Sequence, residues 1–212
     1  MPHFSSDSPE LRYLSEHDAR LKLAFSLVGD LEYDKPDNPF MHIVDTIVGQ
    51  MLSNKVADVL SRRLWSLFPS HDPKAIASTE IATIQGIGVS HSKAEAIYKT
   101  AQYIVDNPNF FQSLEELNDD DVIARLTALR GIGVWSAKMY LIFVLDRRDV
   151  VPIEDGAFLQ AAAWLYSIKD YKELKKIDFN KMWKPYSSIA ARYLYRLLDM
   201  GFTKQPLSAG EH

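Results

Sequence analysis

The 212-residue chain predicts an all-α fold, a stack of short helices, and its length allows either one large domain or two helical halves around a cleft. Three observations carry this. Apolar residues recur at i, i+3, i+4 and i+7 through most of the chain, and no segment alternates convincingly as a strand. The tetrapeptide GIGV also occurs twice, at 86–89 and 131–134, each time between helical stretches and each time followed by Ser and Lys.

Taken in order, residues 11–28 read as the N-terminal helical stretch. Phe40, Ile43, Val44, Ile47, Val48 and Met51 then line one face of a helix that Asn38 caps and Pro39 opens. Val56, Val59, Leu60, Leu64 and Leu67 mark a second helix with Ser53 as its cap, so 50–53 becomes a tight corner. Further periodic stretches cover 73–84, 90–105, 112–116, 119–129, 134–146, 155–166 and 185–200. Only 149–153 is rich in β-formers, and it is a short link between helices. The tips, 1–9 and 203–212, are expected to fray.

Composition narrows the chemistry. Hydrophobic residues make up 47% of the chain, enough for a substantial core. With no cysteine there is no disulfide, thiolate zinc site, iron-sulfur cluster or nucleophilic thiol, and the six histidines show no close metal-ligand spacing. No apolar run is long enough for a membrane span and no secretory signal is visible, so an intracellular location is expected, the nucleus in a eukaryote and otherwise the cytoplasm. A net charge of -4 argues against coating nucleic acid by bulk electrostatics. Locally the balance differs: 122–148 holds Arg125, Arg130, Lys138, Arg147 and Arg148 against Asp146 alone, whereas 115–121 holds five acids.

In the second GIGV copy, Gly131 and Gly133 permit a sharp reversal and Ile132 can plug the angle between the helices. The following helix would aim its first amides, near Gly131, Gly133 and Ser136, outward as an anion site suited to a DNA phosphate, with Arg130 and Lys138 adding charge. A plain joint between two packed helices is the bland alternative. Ser90, after the first copy, is counted among the candidate DNA contacts. Asp155 opens the 155–166 helix, where it can serve as an N-cap, and the helix dipole would also keep it ionised for stabilising a positive sugar or orienting water. Both roles are compatible.

These segments resemble the helix-hairpin-helix superfamily of base-excision DNA glycosylases, in which a Gly-x-Gly hairpin is followed about twenty residues later by Pro and an essential Asp. The matching stretches are LRGIGVWSAKMY at 129–140 and VPIED at 151–155. IVGQMLS at 47–53 and WKPYSS at 183–188 are similar to the 3-methyladenine DNA glycosylase II branch, and the resemblance runs from about Pro39 to Gly201. It implies one domain over 1–212, with the hairpin at 119–146 and the stretches 11–28 and 185–200 completing the second half.

The resemblance also implies a base-flipping mechanism on double-stranded DNA carrying damaged bases or abasic sites, with Asp155 as the catalytic carboxylate. Gln50, Met51 and Leu52 map to the corner that fills the gap left by the flipped base, with Met51 or Leu52 as the wedge and a buried helix-end methionine as the alternative. Trp135 stands where lyase members carry a lysine, which implies a water nucleophile and no lyase step. Trp135 and Tyr195 would suit cationic alkylated purines, or else pack in the core. Backbone carbonyls of Thr127, Leu129 and Ile132 map to a monovalent cation site, sodium or potassium, and no cofactor is required. A monomer is expected. Two departures, Gly156 directly after Asp155 and a corner reading QMLSN, keep open a catalytically weak or inactive binder of abasic or distorted DNA.

Overall fold

The computed structural model describes residues 3–205; the remaining parts of the two tips expected to fray, 1–2 and 206–212, lie outside the described residues. The chain begins with β1 (His3–Phe4), α1 (Pro9–His17), α2 (Ala19–Val28) and β2 (Leu31–Glu32). It continues with α3 (Pro39–Gly49), α4 (Asn54–Leu67), α5 (Pro73–Ala77), α6 (Ile81–Gln85), α7 (His91–Asp106), α8 (Phe110–Leu114), α9 (Asp119–Thr127) and α10 (Val134–Phe143). The last part holds α11 (Gly156–Tyr166), α12 (Tyr171–Leu174), α13 (Phe179–Trp183), α14 (Ser187–Asp199) and a 3-10 turn at Phe202–Lys204. Pro36–Leu145 forms one compact unit, and the two ends of the chain, up to Lys35 and from Asp146, form the other.

The all-α expectation holds. Among the described residues the exception is the ladder of β1 with β2, which sets His3 opposite Glu32 and Phe4 opposite Leu31. The expected fraying of 3–9 is therefore corrected. Phe4 is buried, and burial of an aromatic side chain contributes about 1.5–3 kcal/mol, enough to hold two short strands onto a core.

In the end-segment unit, α2 and α11 pack on α14 around Leu14, Leu21, Phe158, Phe179, Trp183 and Tyr193. The helical stretch expected at 11–28 divides into two helices at Asp18, which takes an extended conformation and caps α2 by accepting from the Arg20 amide. The same carboxylate, 7% exposed, accepts from the Trp183 indole at 2.8 Å and from the Tyr166 hydroxyl. A charge that deeply buried requires such donors. Helices α12 and α13 went unforeseen, since four or five residues are too few to show a period, yet α13 delivers Phe179 and Trp183 to the core.

In the middle unit α3 starts as expected, with the Asn38 side chain accepting from the Phe40 and Met41 amides. Ser53 is the cap residue of α4, but its side chain makes no capping hydrogen bond. The stretch 73–84 divides into α5 and α6. Helix α7 is the long central element and buries Ala94, Ala96, Ile97 and Ala101. The acids Asp119, Asp120 and Asp121 fill the first turn of α9, where the helix dipole favours negative charge. No helix among the described residues is long and apolar enough to cross a membrane.

Candidate nucleic-acid interface and carboxylate site

The second GIGV turn joins α9 to α10. Gly131 has φ 79°, in the left-handed region, and a Cβ there would lie 2.6 Å from the Cβ of Ala96 on α7, so both backbone and space demand glycine. Ile132 is buried and its amide donates to the Leu129 carbonyl. Gly133 is different: it caps α10 in an extended conformation, with nothing within 4 Å of where a Cβ would stand. The expectation that both glycines serve the turn is thus corrected; Gly133 instead leaves the surface ahead of the α10 amides open.

The two GIGV copies also differ in conformation. In the first, Gly86 is right-handed helical and the positive φ, 110°, falls on Gly88, whose missing Cβ makes room for Leu60. Identical tetrapeptides therefore make two different turns, each selected by its packing partner. Ser90 is exposed but its hydroxyl caps its own helix by accepting from the Lys93 amide.

At the corner after α3, Met51 has φ 59° and is 101% exposed, which removes the buried-methionine alternative; Leu52 is 38% exposed. Gln50 does not face outward as a free polar group. Its side-chain amide donates to the Gly131 carbonyl at 2.8 Å and to the Ser136 hydroxyl at 3.3 Å. Ser136 is 1% exposed, so its side chain is a brace for the corner and not a surface phosphate ligand. Arg130 is paired with Glu95 at 2.6 Å while remaining half-exposed, and Lys138 is half-buried on α10. Trp135, the second residue of α10, is also half-buried.

Asp155 caps α11, one carboxylate oxygen accepting from the Phe158 amide at 2.9 Å, and is 7% exposed. The cap and the candidate catalytic group are one residue. Tyr195 on α14 packs against the core of the same unit. Its phenol is held well above the ordinary range, first by burial and then by the charge of Asp155, so it stays neutral.

The segment leading to Asp155 is stitched to α14. Ser188 donates its amide to the Arg148 carbonyl and its hydroxyl accepts from the Val150 amide, both at 2.9 Å, while Ser187 donates to Asp149 at 2.6 Å. At the start of the segment Asp146 accepts from the Tyr33 hydroxyl and from Arg192, whose guanidinium lies 3.5 Å over the Tyr33 ring. Burial raises the Tyr33 phenol to about 12.

Sequence reasoning missed Ser187 and Ser188 as loop anchors, and it missed Lys93, whose ammonium donates to the carbonyls of Val48 at 2.8 Å and Gln50 at 2.6 Å. The signal for Lys93 was present: it occupies the same register after the first GIGV copy as Lys138 does after the second.

The glycine turn that joins α9 to α10 makes this a helix-hairpin-helix protein, and in the other unit a buried carboxylate caps α11. The chain belongs to the HhH-GPD superfamily of base excision DNA repair proteins, whose family pattern matches residues 44–186. It is 25% identical to DNA-3-methyladenine glycosylase 1 of Schizosaccharomyces pombe over 94% of this chain and 91% of that protein. The solved DNA-3-methyladenine glycosidase of Bacillus halodurans is 31% identical with a TM-score of 0.82, covering 100% of this chain and 98% of that one. The S. pombe glycosylase Mag1, solved in complex with abasic DNA, superposes with a TM-score of 0.82 at 23% identity over 92% of this chain and 98% of that one, a likeness of fold.

Proposed function

We propose that the chain is a monofunctional DNA glycosylase that flips an alkylated purine of the 3-methyladenine, 7-methylguanine or ethenoadenine type out of duplex DNA and hydrolyses its N-glycosyl bond. The observation that carries this reading is Asp155: a carboxylate 7% exposed, with one oxygen anchored on the Phe158 amide. As the C1′–N bond breaks, its electron pair leaves with the base and the sugar becomes oxocarbenium-like. A preorganised carboxylate in a poorly solvated place stabilises that charge. Water then bonds to C1′ and gives up a proton, which the Asp155 carboxylate accepts and passes to solvent, or to the departed base where that base left as an anion. An alkylated purine that carries positive charge is already a good leaving group and a good partner for the face of Trp135.

Trp135 has no amine, so no Schiff base forms at that position and no strand cleavage follows. The open surface at Gly133, the first-turn amides of α10 and Lys138 would take the phosphate backbone. Met51, exposed on a strained backbone, is the group to fill the gap left by the flipped nucleotide, in preference to Leu52. The carbonyls of Thr127, Leu129 and Ile132 fall at and just after the C-terminal end of α9, the negative end of a helix, and this oxygen-only set fits a sodium or potassium ion. Such an ion would supply positive charge to a nearby phosphate.

Single-turnover release of the three bases from duplex DNA is the test, with Asp155→Asn as control. Asparagine caps a helix as well as aspartate, so fold and affinity for an abasic duplex should survive while release stops. A wild-type protein that holds abasic duplex but frees no base would instead be a binder of damaged DNA. Covalent trapping of the protein on DNA by borohydride would overturn water as the nucleophile.

A further inference from the structure

The corner that presents Met51 is conformationally costly. A residue with a Cβ in the left-handed region loses about 1–2 kcal/mol relative to a helical one, and the Met51 side chain, fully exposed, recovers nothing by packing. Neighbours must hold it. Lys93 reaches from α7 to donate to the Val48 and Gln50 carbonyls, the second of which belongs to the residue directly before Met51. These carbonyls end α3, where a helix leaves its last acceptors without donors and favours a cation. The same stretch of α7 supplies Ala96, against which Gly131 is packed, and Glu95, which pairs with Arg130. The first GIGV copy thus feeds a helix whose side chains brace both the corner and the second hairpin.

We propose that Lys93 is a positioning residue for the wedge: by holding the Val48 and Gln50 carbonyls it keeps the corner in the one form that presents Met51, with α7 as the common support of wedge and hairpin. The first GIGV copy, in this account, acts as a structural brace and not as a second DNA-reading hairpin. The proposal rests on the reading of Met51 as a group inserted into DNA. A lysine that merely stabilised the fold would affect melting and leave DNA discrimination alone.

The test is a double-mutant cycle of Lys93→Met and Met51→Ala, read as the affinity ratio between a duplex containing a tetrahydrofuran abasic site and the undamaged duplex. Fluorescence of 2-aminopurine placed beside the abasic site reports insertion in the same samples, and neither readout needs turnover. Each single variant should lower the ratio about tenfold and the double variant also about tenfold, because residues that act as a unit are not additive. Full fluorescence amplitude in Lys93→Met, or a double variant down about a hundredfold, would overturn the proposal. Should Lys93→Met not fold, Lys93→Gln takes its place in the cycle with the same expectations. A wild-type protein with intact amplitude but no base release sinks the glycosylase reading alone, whereas a wild-type protein with no amplitude sinks the wedge and this proposal together.

Discussion

The side-chain amide of Gln50 donates to the main-chain carbonyl of Gly131 at 2.8 Å, joining positions 81 residues apart in the chain. A glutamine at an exposed corner reads in sequence as a group turned toward a ligand. Here it ties the Met51 corner to the glycine turn and, at 3.3 Å, to the buried Ser136 hydroxyl. One such bond is worth only about 1 kcal/mol net, so its consequence is geometric: corner and hairpin share one registration.

The two glycines of the hairpin should separate stability from DNA binding. Gly131→Ala meets both a positive φ and Ala96 at 2.6 Å, and should destabilise the fold by about 2–4 kcal/mol. Gly133→Ser enters open space and gains a capping hydroxyl for α10, so stability should change by no more than about 0.5 kcal/mol. Its duplex affinity should fall, since the added atoms stand where a phosphate would approach. Urea midpoints and salt-dependent duplex titrations check the two halves; unchanged affinity in Gly133→Ser would remove that residue from the interface.

Acid sensitivity should trace in part to His42. Burial pushes this imidazole down to about 4 from an ordinary 6.5, and among the described residues its Nε2 has no hydrogen-bond partner. As pH falls the unfolded chain takes up the proton first. Stability from this group is therefore complete above pH 6.5 and is lost as pH falls toward 4, by about 2–3 kcal/mol. His42→Leu should flatten that part of the stability curve. An unchanged acid limb in urea titrations at pH 7.5 and pH 5 would point to other groups.

Ser188→Ala removes the acceptor of the buried Val150 amide and should cost about 1–3 kcal/mol, the price of an unsatisfied buried donor. Because Val150 lies on the segment that delivers Asp155, single-turnover base release should slow even at temperatures where the variant is fully folded. A stability loss with an unaltered rate would show that the stitching supports the fold without positioning Asp155.

Long elements were legible because periodicity reads them directly: α3, α4, α9, α10, α11 and α14 fall within the stretches their apolar spacing marks, and α7 runs one residue past its own. Short ones were not. Helix α13 and the β1–β2 ladder owe their form to the core they touch, and two to five residues carry no period of their own. Asp18 shows the same limit inside a long pattern: the apolar spacing runs on through it, while its buried partners Trp183 and Tyr166 make it a break.

By itself the sequence determined the all-helical class, the hairpin at Gly131–Ile132–Gly133 and Asp155 as a helix cap, because glycine freedom, helix caps and periodicity are local properties; Asp155 as the candidate catalytic carboxylate came from the family resemblance. Only the tertiary structure decided what those residues do. It set Gly131 against Ala96, turned Gln50 inward, exposed Met51 in place of burying it, and gave two identical GIGV segments different turns. Each of those outcomes depends on which side chain from a distant part of the chain occupies the neighbouring space, and that is settled by packing.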